Sequence, residues 1–259
     1  MPSPHRPPPD PGTLERRREL VFLVLAGVFL GAMAMLNILG LTRFVQLGPL
    51  TLAVGVLPYP LTFLCTDLIG ELFGRRRARD LVWIGFGINV MLLAVLWLGQ
   101  ALPPVDPAAR PPWQDLALAE PVALPDGTIL EHHAELFRLI YGCTSGAVLA
   151  SMVAYLAAQF CDVYLFHFWK DLTRGRHLWL RNNGSTVVSQ LVDSVAVVSI
   201  TFGAAWGRGE IGLETLGVLL ASNYAYKLLA ALADTLPFYV AVAVLSRWLR
   251  IDPRGEYRE

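Results

Sequence analysis

The sequence predicts an all-α membrane protein with six transmembrane helices. Of its 259 residues, 54% are hydrophobic and only 16% are charged, whereas roughly a quarter of the residues in soluble domains are charged. Six apolar stretches are long enough to cross a bilayer, which takes roughly 20 helical residues. The basic residues lie mainly in alternate connections between these stretches, as expected for a chain that crosses the membrane six times.

The apolar stretches define a transmembrane domain over residues 20–249, flanked by two tails. The first tail, 1–19, is rich in proline and charge and is expected to be flexible, and the second covers 250–259. The predicted spans are residues 20–40, 48–73, 81–102, 135–168, 184–206 and 216–249. The fourth and sixth exceed 30 residues, so we expect them to tilt or to project beyond the bilayer. An irregular Pro-rich outer loop, about 103–133, connects the third and fourth.

The distribution of basic residues predicts the orientation. Sixteen of the 21 lysines and arginines fall in four groups, before span one, between spans two and three, between spans four and five, and after span six. The alternate connections hold only Arg43, Arg110 and Arg208. Because basic connections remain on the cytoplasmic side, both termini are predicted to be cytoplasmic.

Nothing in the sequence indicates a metal, a cofactor or a nucleic-acid partner. Cys65, Cys143 and Cys161 are an odd number in apolar runs, and their spacing fits neither a metal site nor a disulfide framework. His132 and His133 are direct neighbours, which is a poor spacing for metal ligands. The formal net charge is zero, so no overall attraction to nucleic acid is expected.

Polar side chains recur inside the predicted spans, where each charge costs about 3 kcal/mol or more and therefore requires a compensating environment. Three spans carry two polar residues on one helix face, three or four positions apart: Asp67 and Glu71, Gln190 and Asp193, and Asn223 and Lys227. Asp234 lies seven positions beyond Lys227 and extends that stripe, while Asn37 and Asn89 are weaker, single-amide candidates. If the three stripes face one cavity, they form a binding site for a small polar solute.

A purely structural interpretation accounts for the same residues. Asp67 and Glu71 precede the arginines among residues 75–79 and could form ion pairs at the membrane interface. Asp193, Lys227 and Asp234 are deeper and could form a salt bridge that only holds helices together. The two interpretations differ in whether these side chains face a cavity.

Span two contains two prolines at mid-segment, Pro58 and Pro60, on either side of Tyr59. Proline removes a backbone donor and clashes with the preceding turn, so we expect a kink or a break in the helix. Broken helices in membranes line cavities or pack within protein, often at the substrate sites of transporters. Tyr59 would then be placed to stack on a flat solute.

The chain resembles the queuosine precursor transporters, also called the vitamin uptake transporter family, from about residue 36 to its end. Three stretches carry the resemblance: Asn37-Ile-Leu-Gly40; Tyr59-Pro-Leu-Thr-Phe-Leu-Cys-Thr-Asp67 with Glu71, Gly74, Ala78 and Arg79; and Leu178-Trp-Leu-Arg-Asn-Asn-Gly-Ser-Thr186 with Ser189, Gln190 and Asp193. The sequence departs from the family in its long Pro-rich outer loop and in Ser194, where threonine is more usual. Neither departure removes a candidate polar group.

The resemblance implies a carrier with six helices in the inner membrane of a bacterium. Its substrates would be 7-cyano-7-deazaguanine (preQ0) or 7-aminomethyl-7-deazaguanine (preQ1), salvaged for queuosine modification of tRNA. It also implies similarity to the substrate-binding subunits of energy-coupling-factor vitamin transporters, although family members are thought to work without that ATPase module. A lipid bilayer and a small molecule are then the partners, and a homodimer is an open possibility.

The chemistry of a deazaguanine ring suits the candidate residues. One carboxylate can accept the adjacent N1–H and 2-amino group, and we assign this role to Asp67, Glu71 or Asp193 without choosing between them. Donors to the ring oxygen and nitrogens are Gln190, Asn223 and Lys227, and Tyr59 offers an aromatic face. Asn37, Asn89 and Asp234 form a second tier.

Other functions remain open at this level. The chain could be a binding subunit that uses a separate ATPase, since it has no Walker motif, or it could carry another flat nucleobase or vitamin. An intramembrane aspartyl protease using two of Asp67, Asp193 and Asp234 is disfavoured because no Gly-x-Gly-Asp motif is present. A membrane scaffold would leave the intramembrane charges unexplained.

Overall fold

The computed structural model describes residues 11–39, 42–48, 50–106, 109–124, 127–174, 176–207, 209 and 211–252. The outer parts of both predicted tails, 1–10 and 253–259, lie outside these residues. Six helices make up most of the described chain: α1 (Pro11–Leu39), α2 (Tyr59–Phe73), α3 (Arg75–Ala101), α4 (Leu136–Leu172), α5 (Leu178–Gly207) and α6 (Leu213–Leu249). The strands are short, so the prediction of an all-α membrane protein is confirmed.

Five described segments are each long and apolar enough to cross a membrane, and α4 provides a sixth span if its two bent halves count as one. The segment that contains α2 reaches this length only together with the short 3₁₀ helix over Val54–Val56. The outer faces of the helices are apolar, as lipid contact requires. On α6, for example, Leu229, Leu232 and Leu236 are 60%, 59% and 73% exposed at the spacing of one helix face.

A β-hairpin occupies what the sequence analysis assigned to the first part of span two. Strands β1 (Phe44–Leu47) and β2 (Leu50–Ala53) pair antiparallel, and Gly48 in the turn has φ +60, a conformation that glycine adopts without strain. The prolines do not break a longer helix; instead, they begin α2. Pro58 is the N-cap and Pro60 lies in the first turn, where a missing N–H costs nothing.

The Pro-rich connection between α3 and α4 is not irregular throughout. Strands β3 (Asp115–Ala117) and β6 (His133–Glu135) pair, and so do β4 (Val122–Ala123) and β5 (Ile129–Leu130). The Arg110 guanidinium lies 3.6 Å from the Asp115 carboxylate and 4.0 Å from that of Glu135. These ion pairs fasten the connection to the start of α4.

Helices α4 and α6 are both 37 residues long, about 55 Å at 1.5 Å per residue. This exceeds the bilayer core of about 30 Å, as the sequence analysis anticipated. The axis of α4 bends by 45° between Gly146 and Ser151. Helix α6 contains Pro237 within its length.

Helix α2 is the central helix of the bundle. Ten of its fifteen residues are buried, and it packs against α1, α3, α4 and α6. Ile69 of α2 and Phe29 of α1 are both fully buried, and they belong to the same apolar cluster. Because α2 is enclosed on most sides, its polar side chains have protein rather than lipid as neighbours.

The two ends of the bundle differ. At one end, the Arg18 guanidinium donates to the carbonyl oxygen of Leu249 at 3.1 Å, and Arg77 stacks 5.1 Å above the ring of Phe22. The starts of α1, α3 and α5 and the ends of α2, α4 and α6 lie here. We call this the basic end, because most of the lysines and arginines lie at these helix ends. The opposite end carries the β1–β2 hairpin, and we call it the hairpin end.

Candidate functional site

A cavity of about 180 Å³ lies in the half of the bundle nearer the hairpin end. All six helices contribute to its lining, together with residues of β2 and the 3₁₀ helix. Most of the wall is apolar, with Val148, Val197 and Phe202 among its residues. Polar side chains are concentrated at its deep end and on one side, which is the usual composition of a small-molecule site.

An ion pair between two helices forms the deep end of the cavity. The Lys227 ammonium of α6 pairs with Oδ2 of Asp193 on α5, and both side chains are 3% exposed. The ammonium also lies 4.1 Å from the centroid of the Tyr59 ring, and the Tyr59 side chain interacts with Asp193. These contacts join α2, α5 and α6, and the two opposite charges offset each other in a site of low polarity.

The first turn of α2 fixes the position of Tyr59. Thr62 donates its hydroxyl to the Tyr59 carbonyl oxygen at 2.7 Å, and the rings of Tyr59 and Phe63 lie 5.0 Å apart. Because the prolines around Tyr59 start the helix at this depth, Tyr59 lies in its first turn and lines the cavity.

Three asparagine side chains also lie around the cavity. Asn37 of α1 donates to the amide oxygen of Asn89 on α3 at 2.6 Å, and both residues line the cavity. Asn223, one turn before Lys227, lies 3.5 Å from the Ser194 hydroxyl. The cavity therefore offers amide donors and acceptors on two sides in addition to the charged pair.

Six of the ten candidate residues from the sequence line this cavity: Asn37, Tyr59, Asn89, Asp193, Asn223 and Lys227. The other four lie elsewhere. Gln190 is 2% exposed, and its Oε1 has no hydrogen-bond donor among the described residues. Asp67 and Glu71 are buried in α2, and Asp234 is partly buried on α6. None of these four residues lines the described cavity.

Glu71 forms an ion pair, but with a partner that the sequence did not suggest. Its Oε2 lies 3.3 Å from the ammonium of Lys170 on α4, and both side chains are at most 5% exposed. The interfacial interpretation had assigned Glu71 to the arginines that follow α2. The contact instead joins α2 to α4 inside the basic end.

The sequence analysis overlooked Asp162 as a site residue. It is fully buried on α4 and accepts a hydrogen bond from the Ser189 hydroxyl of α5 at 2.9 Å. The predicted fourth span ended at residue 168, which placed Asp162 near the membrane surface. Because α4 continues to Leu172, the residue lies nearly three turns inside the helix, and its polarity was the available signal.

A membrane-spanning helical bundle with charged side chains around an internal cavity is typical of membrane transporters, in which such residues mark the path of the solute. Residues 53–242 match the model of a family described as "Putative vitamin uptake transporter". The chain belongs to this family of multi-pass membrane transporters, which are not enzymes.

Two curated relatives match about two thirds or more of the chain. It is similar to the "Probable queuosine precursor transporter" of Bacillus subtilis (strain 168), at 30% identity over 68% of this chain and 67% of the relative. It is also similar to the "Queuosine precursor transporter" of Escherichia coli (strain K12), at 26% identity over 71% of this chain and 70% of the relative. No solved structure matches the chain. The family resemblance recognised in the sequence is thus confirmed.

Proposed function

We propose that the protein takes up queuosine precursors of the 7-deazaguanine type across a bacterial inner membrane. The names of the two relatives support this class of substrate. The observation that carries the proposal for this chain is the cluster of Asp193, Lys227 and Tyr59 at the deep end of the cavity. A carboxylate, a cation and an aromatic face within one small site suit a flat, hydrogen-bonding ring.

In this proposal the three side chains have different roles. Asp193 accepts the N1–H and the 2-amino group of the ring, which present two donors side by side. Lys227 then donates to the 6-oxo group, with Asn223 as a second donor. The Tyr59 ring, whose face is covered by the Lys227 ammonium, provides a stacking surface once Lys227 turns toward the substrate.

The proposal also assigns the compartments. The basic end carries most of the lysines and arginines, so the positive-inside rule assigns it to the cytoplasm. The cavity, which lies nearer the hairpin end, is then reached from the periplasm. The buried pair of Glu71 and Lys170 and the packed Leu72 and Leu249 close the cytoplasmic side in this arrangement.

The test is uptake in a bacterial strain that cannot synthesise deazaguanine precursors. The strain is supplied with 7-cyano-7-deazaguanine or 7-aminomethyl-7-deazaguanine at low concentration, and queuosine is measured in its tRNA. We expect the wild-type chain to restore queuosine and Asp193→Asn to abolish restoration at equal membrane abundance. Asp80→Asn, on an exposed side chain of α3, is the matched control and should restore it fully.

Two results would count against the proposal. If the wild-type protein is inserted but restores no queuosine, the solute is a different flat nucleobase or vitamin, and binding to the purified protein should be screened among those. If Asp193→Asn restores queuosine as well as the wild type, the deep end of this cavity is not the binding site.

A further inference from the structure

The buried charges of the bundle do not balance. Four carboxylates, two lysines and one imidazole are buried among the described residues: Asp67, Glu71, Asp162, Asp193, Lys170, Lys227 and His167. Lys227 pairs with Asp193, and Lys170 pairs with Glu71. No ion pair connects the other two carboxyl groups to a cation within the described part of the chain. An unpaired ionised carboxylate away from water is very unfavourable. Asp67 and Asp162 therefore require another source of positive charge.

The two remaining carboxyl groups face each other. Asp67 of α2 is 4% exposed, Asp162 of α4 is 0% exposed, and the two carboxyl groups interact with one another. The Ser189 hydroxyl donates to Oδ1 of Asp162, whereas Oδ2 receives no bond from an amide, a hydroxyl or a cation of the described residues. Ionised carboxylates only accept hydrogen bonds. Two neighbouring buried carboxylates repel each other when both are ionised, so the pair favours holding a proton.

The pair lies between the cavity and the basic end. Asp67 is eight residues beyond Tyr59 in α2, and Asp162 is seven beyond the cavity residue Tyr155 in α4, so each lies about 10 to 12 Å deeper along its helix. Ser189 is one turn before Asp193 on α5. A hydroxyl thus stands between the charged floor of the cavity and the carboxyl pair.

We propose that Asp67 and Asp162 form a proton-binding site that couples substrate uptake to proton entry. The proton enters from the cavity side, resides on the pair while the substrate is bound, and leaves toward the basic end. The inference relies on the proposed substrate only for the choice of transport assay.

Charged and titratable groups on three helices lie around the pair: Tyr59, Cys65 and Glu71 on α2, Cys161, His167 and Lys170 on α4, and Asp234 on α6. Helix α5 contributes hydroxyl groups, those of Ser185 and Ser189. Lys170 offsets the charge of Glu71, whereas Asp234 is a partly buried acidic neighbour on α6. Its negative charge favours binding of a proton by the pair.

The experiment uses the purified chain in proteoliposomes with radiolabelled 7-cyano-7-deazaguanine. Counterflow, the exchange of labelled for unlabelled substrate, requires the substrate site but no driving force. Accumulation is then measured under a pH gradient of one unit, which can sustain about a tenfold concentration ratio for each proton carried with a substrate. We expect about tenfold accumulation by the wild type, and substrate-dependent proton uptake reported by a dye enclosed in the vesicles.

Asp67→Asn and Asp162→Asn retain hydrogen-bonding capacity but cannot exchange a proton. Each should keep counterflow while accumulation falls to the external concentration. Asp171→Asn, on an exposed residue nine positions beyond Asp162 in the same helix, is the matched control and should accumulate like the wild type.

The outcomes separate the two proposals. If the wild type shows no counterflow, the proposed substrate is wrong. If counterflow is present but accumulation follows a sodium gradient, ignores the pH gradient or persists in both Asn variants, the proton site is refuted. If both variants fail to fold, the dye-reported proton uptake of the wild type tests the proposal instead. Substrate movement without proton uptake then overturns the inference.

Discussion

The ammonium group of Lys227 lies 4.1 Å from the centre of the Tyr59 ring while it pairs with the carboxylate of Asp193. One side chain therefore occupies both the aromatic face and the anion that a flat substrate would use. The two charges of the pair offset each other, and the proposed binding of a substrate requires this contact to rearrange.

The first prediction separates the structural role of the Lys227–Asp193 pair from its binding role. Lys227→Met leaves a buried carboxylate without its cation, which should cost about 3–5 kcal/mol of folding free energy. The double variant Lys227→Met/Asp193→Asn has no buried charge at this point, so most of that loss should be recovered. Thermal unfolding in detergent measures both effects.

Uptake should respond differently to the same variants. If the pair binds substrate, the double variant remains inactive although its stability returns toward that of the wild type. A double variant that is stable and transports normally would assign the pair a purely structural role, that of a salt bridge that only holds helices together.

Hydropathy and charge predicted most of the helical framework, because each span is encoded locally in about 20 residues. The hairpin of residues 44–53 was missed, because its apolar residues have the same composition as a span. The prolines at 58 and 60 gave a correct signal of irregular backbone, but a proline pair fits the start of a helix as well as a break.

The candidate site was predictable only in part. The i,i+4 spacing showed that Asn223 and Lys227 share a face, and both line the cavity. Spacing within one helix does not identify the residue on the neighbouring helix, so the contacts of Asp67 with Asp162 and of Glu71 with Lys170 could not be deduced. Those pairings depend on helix length and rotation, which are set by packing across the whole bundle.

The second prediction concerns the amide pair between α1 and α3. The Asn37–Asn89 hydrogen bond at 2.6 Å is buried, and side-chain hydrogen bonds between membrane helices contribute about 0.6 kcal/mol on average, up to about 1.7. Asn37→Ala and Asn89→Ala should each lower stability by an amount in that range. Because they remove the same bond, the double variant should lose less than the sum of the two.

A double-mutant cycle measured by unfolding in mixed micelles tests this coupling. Additive losses would mean that the two amides act independently. Thr42→Ala, whose hydroxyl bonds only locally to Leu39 on the exposed surface, is the control and should change stability little.

The third prediction concerns the pair of Glu71 and Lys170, which connects α2 and α4 near the basic end at 3.3 Å. Lys170→Met leaves Glu71 buried without this cation, so stability should fall by about 3–5 kcal/mol. Adding Glu71→Gln should recover part of the loss. Lys170→Met protein that unfolds at the wild-type temperature would show that the pair contributes nothing to the closed basic end.

The fourth prediction uses two glycines of α3 that differ only in their surroundings. A Cβ built on Gly85 would lie 2.7 Å from the Tyr155 hydroxyl oxygen and 3.0 Å from a ring carbon of Phe29. Helices α1, α3 and α4 meet at this point, so Gly85→Ala should push them apart at a cost of about 1–3 kcal/mol. Tyr155 also lines the cavity, so substrate affinity should fall as well.

Gly87→Ala is the matched control. It lies two positions further along the same helix, with no other atom within 4 Å of the added Cβ, and alanine is favoured over glycine in a helix by about 1 kcal/mol. We therefore expect Gly87→Ala to leave transport unchanged and to raise the unfolding temperature slightly, whereas Gly85→Ala lowers it. Equal effects of the two substitutions would contradict the close approach of Tyr155 and Phe29 to α3, because helix propensity alone treats both positions alike.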